Sequence, residues 1–98
     1  MSRVQARRAA LAEVASAARQ VQVLHRPPAS PRRLTAQVVH QQQLVRAYRA
    51  QAHAAFDAST YFLAESPTQL SLLALGNTST TLANRLDDEL QAAVRSGA

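Results

Sequence analysis

No cysteine occurs in the 98 residues, and there is no tryptophan and no lysine. Without cysteine there can be no disulfide, no thiolate metal site and no cysteine nucleophile, so the chain is not one of the small secreted domains stapled by disulfides. Two glycines and four prolines are too few for the many tight turns of an all-β fold. Aromatic residues make up 4%, and much of the 47% hydrophobic content is alanine, which favours helix but buries little area. Such a chain forms helices readily around a thin core, a combination expected of a subunit or accessory protein that a partner completes. Long apolar runs are missing too. No apolar segment follows the charged start, as a secretory signal would require. Residues 66–84 are uncharged, but they hold Pro67, Gly76, Asn77 and many hydroxyl side chains. A span needs ~20 predominantly apolar residues, so a soluble protein with no membrane span is expected.

What is present is arginine, and it is unevenly placed. Residues 1–49 carry nine arginines against Glu13 alone, a charge of +8, whereas residues 50–98 carry −3, for a net +5. Arginine suits bidentate contacts with phosphate or carboxylate, although a total absence of lysine also follows from GC-rich coding. A short, basic, acid-poor N-terminus resembles a mitochondrial targeting segment as much as an ordinary solvated helix face.

Hydrophobic periodicity makes the longest element. Between Leu34 and Glu65, at ~100° per residue, Leu34, Val38, Leu44, Val45, Tyr48, Ala52, Ala55, Phe56, Phe62 and Leu63 share a sector roughly 120° wide. No Gly or Pro interrupts it, and one helix over 34–65 is expected, the longest in the chain. Arg49, His53 and Asp57 follow one another at i, i+4, i+8, a spacing that suits a surface ladder. Ahead of it, residues 2–24 read as a helix capped by Ser2, with Leu11, Val14, Ala18 and Val21 as its apolar stripe. That stripe runs back into Arg7 and Arg3, which should fray or meet something acidic. Residues 25–33, His-Arg-Pro-Pro-Ala-Ser-Pro-Arg-Arg, form a basic linker that proline keeps out of helix.

After 65 the local signals are sharper. Ser66, Pro67 and Gln69 fit N-cap, N1 and N3 of a capping box. They open a short helix over 67–75, which Gly76 is expected to end as C′. A last helix over 80–95 carries Leu82, Leu86, Leu90 and Val94 at i+4, with a loose tail after it. The fold class is therefore all-α, a single small domain of three to four helices packed around one long central amphipathic helix at 34–65.

No catalytic constellation emerges. His25, His40 and His53 have no carboxylate at metal-ligand spacing. Asp87, Asp88 and Glu89 are consecutive and splay around a helix. There is no glycine-rich phosphate loop and no nucleophile elbow. Neither enzyme, cofactor, metal site nor small-molecule substrate is expected. For nucleic acid, the basic half offers one aromatic, Tyr48, and so no stacking platform. The expected contacts are with protein, through Arg3 and Arg7, the linker arginines Arg26, Arg32 and Arg33, and Tyr48 and Arg49.

The helix reading Gln43-Leu44-Val45-Arg46-Ala47-Tyr48-Arg49-Ala50, followed by Ser59-Thr60-Tyr61-Phe62-Leu63, Gln69-Leu70-Ser71-Leu72-Leu73-Ala74-Leu75-Gly76-Asn77 and a final Ala93-Val94-Arg95-Ser96-Gly97, resembles the LYR-type assembly factor of mitochondrial ATP synthase over residues 34–97. The family's Leu-Tyr-Arg is replaced here by Ala47-Tyr48-Arg49, in the second helix instead of the first. The resemblance implies a small, helical, non-catalytic assembly factor or accessory subunit in the mitochondrial matrix. Two other readings stand beside it. One is an arginine-rich subunit of a large complex such as a mitochondrial ribosome, with an acidic surface or RNA as partner. The other is a bacterial or phage structural protein, which would place the chain in the cytoplasm.

Overall fold

Three helices, with no strand among the described residues, make up the computed structural model, which describes residues 2–26 and 34–97. They are α1 (Arg3–Leu24), α2 (Leu34–Ser59) and α3 (Pro67–Gly97). Most of the basic linker, including Arg32 and Arg33, and residue Ala98 lie outside the described residues.

Ser2 opens α1 with a full capping box. Its hydroxyl accepts the Gln5 N–H while the Gln5 side chain accepts the Ser2 N–H, both at 3.1 Å. The inward line of α1 is Ala10, Val14, Ala17, Val21 and Leu24, alternating steps of four and three, with Ala10 and Val21 buried and the others partly so. Leu11, expected inside, is exposed, because a seam with a 3.5-residue period passes it by. Corresponding lines run through Leu44, Tyr48, Gln51, Ala55 and Ala58 of α2 and through Leu72, Gly76, Ser79, Ala83, Leu86 and Leu90 of α3. Pairs across the helices fix an antiparallel course. The Gln41 amide donates to the Leu86 carbonyl at 2.8 Å, Phe56 covers Gly76, and Ala58 shares a cluster with Leu72. On the other side the His40 Nε2–H donates to the Leu24 carbonyl, closing the C-terminal end of α1, and the Tyr48 hydroxyl and His25 Nε2 share a hydrogen bond.

Two expectations give way here. The helix expected over 34–65 stops at Ser59. From there the backbone tightens to i→i−3 bonds, Thr60 to Asp57, Tyr61 to Ala58 and Phe62 to Ser59. The Ser59 and Thr60 hydroxyls bond back to the Phe56 and Asp57 carbonyls, offering those groups an alternative to the helical ladder. Glu65 takes a positive φ of 65°, a reversal no helix contains, and Pro67 disfavours helical backbone at Ser66.

The second correction is larger. The helices expected over 67–75 and 80–95 are one continuous α3 of 31 residues, and it, not α2 with 26 residues, is the longest. Gly76 sits inside it as a seam residue. The hydroxyls of Thr80 and Thr81 donate to the Gly76 and Asn77 carbonyls one turn back, so these two side chains are satisfied within the helix instead of capping a new one. Burial against α2 decides: Gly76, Ser79 and Ala83 all face it, and packing overrides a weak local preference.

The α2–α3 seam is built of small residues, with Ala55, Ala58 and Ala83 fully buried and Ser79 nearly so. Both neighbours bury α2, so its hidden arc takes in Ala47, Gln51, Ala58 and Ser59 beyond the expected sector. No Cα of α1 comes within 8 Å of one in α3 among the described residues. The molecule measures 50 × 23 × 20 Å, its long dimension matching the roughly 46 Å of a 31-residue helix.

Candidate protein-binding surface

Antiparallel packing brings the first two turns of α1 beside the turn that joins α2 to α3. Arg3 and Arg7 lie on the line of the α1 seam, where an ordinary bundle would bury apolar residues. Instead of meeting an acid they meet rings: the Arg3 guanidinium carbon lies 6.0 Å from the centre of Tyr61, and that of Arg7 5.7 Å from the centre of Phe62. Cation–π contacts of this kind hold about 0.5–1 kcal/mol each at exposed sites. They fix where two flexible cations rest without neutralising them. Neither arginine pairs with a carboxylate among the described residues, where the one ion pair is Arg49–Asp87.

The turn itself supplies the apolar part. Tyr61 and Phe62 are half-buried and join the Ala10–Ala58–Leu72 cluster, whereas Leu63 is 84% exposed. Ser66 caps α3, its hydroxyl accepting the Gln69 N–H at 3.3 Å. The Gln69 side chain accepts the Glu65 N–H at 2.7 Å, so the reciprocal half of the expected capping box serves the residue before the cap. Arg3, Arg7, Tyr61, Phe62, Leu63, Ser66 and Thr68 together line a cavity of about 410 Å³. It presents two cations, three hydroxyl-bearing side chains and an apolar wall.

The other expected contact residues fall elsewhere. Tyr48 is buried at 9% exposure and stacks edge-on against His25, which makes it a core residue joining α1 to α2. Arg49 reaches across to α3, to the Asn84 side-chain oxygen at 3.3 Å and the Asp87 carboxylate at 3.4 Å. The intrahelical ladder with His53 and Asp57 therefore gives way to a pairing between helices. Arg26 is exposed just past the C-terminal end of α1, at the far end of the molecule from Arg3 and Arg7. Of the five candidates among the described residues, Arg3 and Arg7 are the two that line this cavity together.

Sequence reasoning missed Tyr61, Phe62, Leu63, Ser66 and Thr68 as members of one surface. A signal existed, since Ser66-Pro67 requires the chain to leave any helix before them, which frees Tyr61–Leu63 to form an end cap. Two shallower furrows flank Arg46 on α2, one bounded by Gln20 and Leu24 of α1, the other by Asp87 and Leu90 of α3. They exist because α1 and α3 stand apart. Comparison with protein-family models, with curated proteins and with solved structures returns no match for this chain.

Proposed function

We propose that this protein is a non-enzymatic helical assembly factor or accessory subunit that acts by binding another protein within a mitochondrial complex. The observation that carries the reading is the end of the molecule where Leu63 stands in solvent beside two arginines held on aromatic rings. Exposed large apolar groups bounded by uncompensated charge are what a protein-recognition surface uses. On this reading α2 is the spine that holds α1 and α3, and the thin alanine core is sufficient because the partner contributes further burial. The resemblance of residues 34–97 to the LYR-type assembly factor of mitochondrial ATP synthase supports the mitochondrial setting.

Amine-reactive cross-linkers find no lysine in this chain, so the test uses a photo-reactive amino acid placed at position 63. Irradiated in its native cells, the protein should form one dominant adduct with a second protein in the mitochondrial fraction. The same probe at position 53, exposed on α2, should form none. An absent adduct, or equal adducts from both positions, would refute the reading.

A further inference from the structure

We infer that the cavity between the first turns of α1 and the α2–α3 turn receives a segment of a partner protein in which a carboxylate neighbours an apolar side chain. The carboxylate sits between Arg3 and Arg7, and the apolar group packs on Phe62 and Leu63. This rests on the protein-binding reading above and names the chemistry of the partner.

Charge complementarity sets the first half. Two guanidinium groups line one cavity without a counter-ion among the described residues. Glu65, the acidic residue of the turn itself, pairs with neither. A guanidinium presents a planar fork of donors that matches a carboxylate, and the rings of Tyr61 and Phe62 restrict where the two forks lie. Some of the ordering cost of binding is thereby met in advance. Leu63 sets the second half. A purely acidic ligand would leave it in water, whereas an adjacent apolar side chain removes it from solvent together with the edge of Phe62.

RNA fits this surface less well. Nucleic-acid sites of this size use aromatic faces to stack bases, and here Arg3 and Arg7 already occupy one face of each ring. What remains to a ligand is guanidinium edges and an aliphatic side chain.

The probe is a fluorescein-labelled peptide of alternating leucine and aspartate, amidated at its C-terminus and titrated against the whole chain by fluorescence anisotropy. Three comparators accompany it: the same peptide with asparagine for aspartate, the same peptide with serine for leucine, and a labelled oligouridylate. The leucine–aspartate peptide should bind at least about tenfold more tightly than each comparator, and more weakly as salt rises. Arg3→Gln with Arg7→Gln should weaken it about tenfold or more, and Leu63→Ser by severalfold. Arg8→Gln with Arg19→Gln, which alters charge on α1 outside the cavity, should leave it nearly unchanged. Thr68→Glu places a carboxylate at the cavity wall without removing either arginine, and should reproduce the loss even if the double arginine variant fails to fold.

Several results would overturn the inference: no binding by the wild type, tighter binding of the oligouridylate, equal losses from the Arg8 and Arg19 variant, or full binding by both Thr68→Glu and a folded double variant. If the position-63 adduct forms in the wild type and persists when Arg3 and Arg7 are glutamine, this inference falls while the protein-binding reading stands. If the wild type forms no adduct, that reading falls first.

Discussion

Replacing Gly76 with alanine should destabilise the protein, although the same change in most helix interiors is stabilising. In favour of alanine is helix propensity, about 1 kcal/mol for Gly→Ala. Against it stands the Phe56 ring: a Cβ built on Gly76 would lie 2.5 Å from the nearest ring carbon and within 2.8 Å of two more. Carbon atoms rest about 3.5–4.0 Å apart, so the ring or the helix must move by roughly 1 Å or more. Moving α3 away from α2 would loosen the fully buried Ala55, Ala58 and Ala83, and the ring is the easier element to displace. Phe56 is 36% exposed, which leaves about two-thirds of it covered. Swinging it fully into water would uncover on the order of 120 Å² of a side chain of about 200 Å², which sets an upper limit of about 3 kcal/mol on the loss at ~25 cal/mol per Å². The net is at most about 2 kcal/mol of destabilisation, a fall in melting temperature of up to roughly 10 °C for a domain of this size. Urea denaturation followed by far-ultraviolet circular dichroism measures it. A double-mutant cycle gives the sharper test. With Phe56→Ala already present the obstruction is gone, so Gly76→Ala should then stabilise by about 1 kcal/mol. Alanine at 76 that stabilises in both backgrounds would refute the reasoning, and would make Gly76 a plain helix flaw.

Other changes probe the remaining contacts. Ala83→Leu inserts three carbons into a seam where Ala83 is fully buried beside Tyr48, and should cost about 1–3 kcal/mol by overpacking, read by the same urea titration. Tyr48→Phe removes the hydrogen bond with His25 and should cost about 0.5–1.5 kcal/mol, whereas Tyr48→Ala should cost about 3–5 kcal/mol by loss of a buried ring. Equal effects of the two would show that the hydroxyl matters more than the packing. Asp87→Asn breaks an ion pair whose partners are 48% and 38% exposed, so the change should stay below about 1 kcal/mol and shrink in high salt, as thermal melts at two salt concentrations would report.

The sequence discloses what is decided within a few residues. Ser2 and Ser66 are legible as caps because capping needs only a hydroxyl and the N–H three residues on, and both bonds form. The helical class is legible because alanine, scarce glycine and i, i+4 spacing agree. Gly76 misleads for the opposite reason: its role depends on Phe56, twenty positions away, and no local pattern announces that a glycine is making room for a ring. The end of α2 is half-legible, since Ser66-Pro67 demands a break that the apolar wheel, carried on through Phe62 and Leu63, disregards. At the candidate site, Arg3 and Arg7 stand out as cations where apolar residues belong. That they rest on Tyr61 and Phe62 is visible only once antiparallel packing brings residues nearly sixty positions apart together. Arg49 shows the same limit, since a ladder along its own helix and a reach across to Asp87 are equally compatible with its spacing.

The separation of α1 from α3 has a consequence for how the molecule comes apart. Every backbone approach that α1 makes to another helix is to α2, and α3 leans on α2 through a seam of its own. Detaching α1 therefore breaks its seam with α2, its contact with Leu72 and the rests of Arg3 and Arg7 on the turn, and leaves the seam between α2 and α3 in place. Opening of this kind draws on a lower free energy than global unfolding. The arginines that mark the candidate site thus belong to a helix that can leave while the α2–α3 hairpin stays closed.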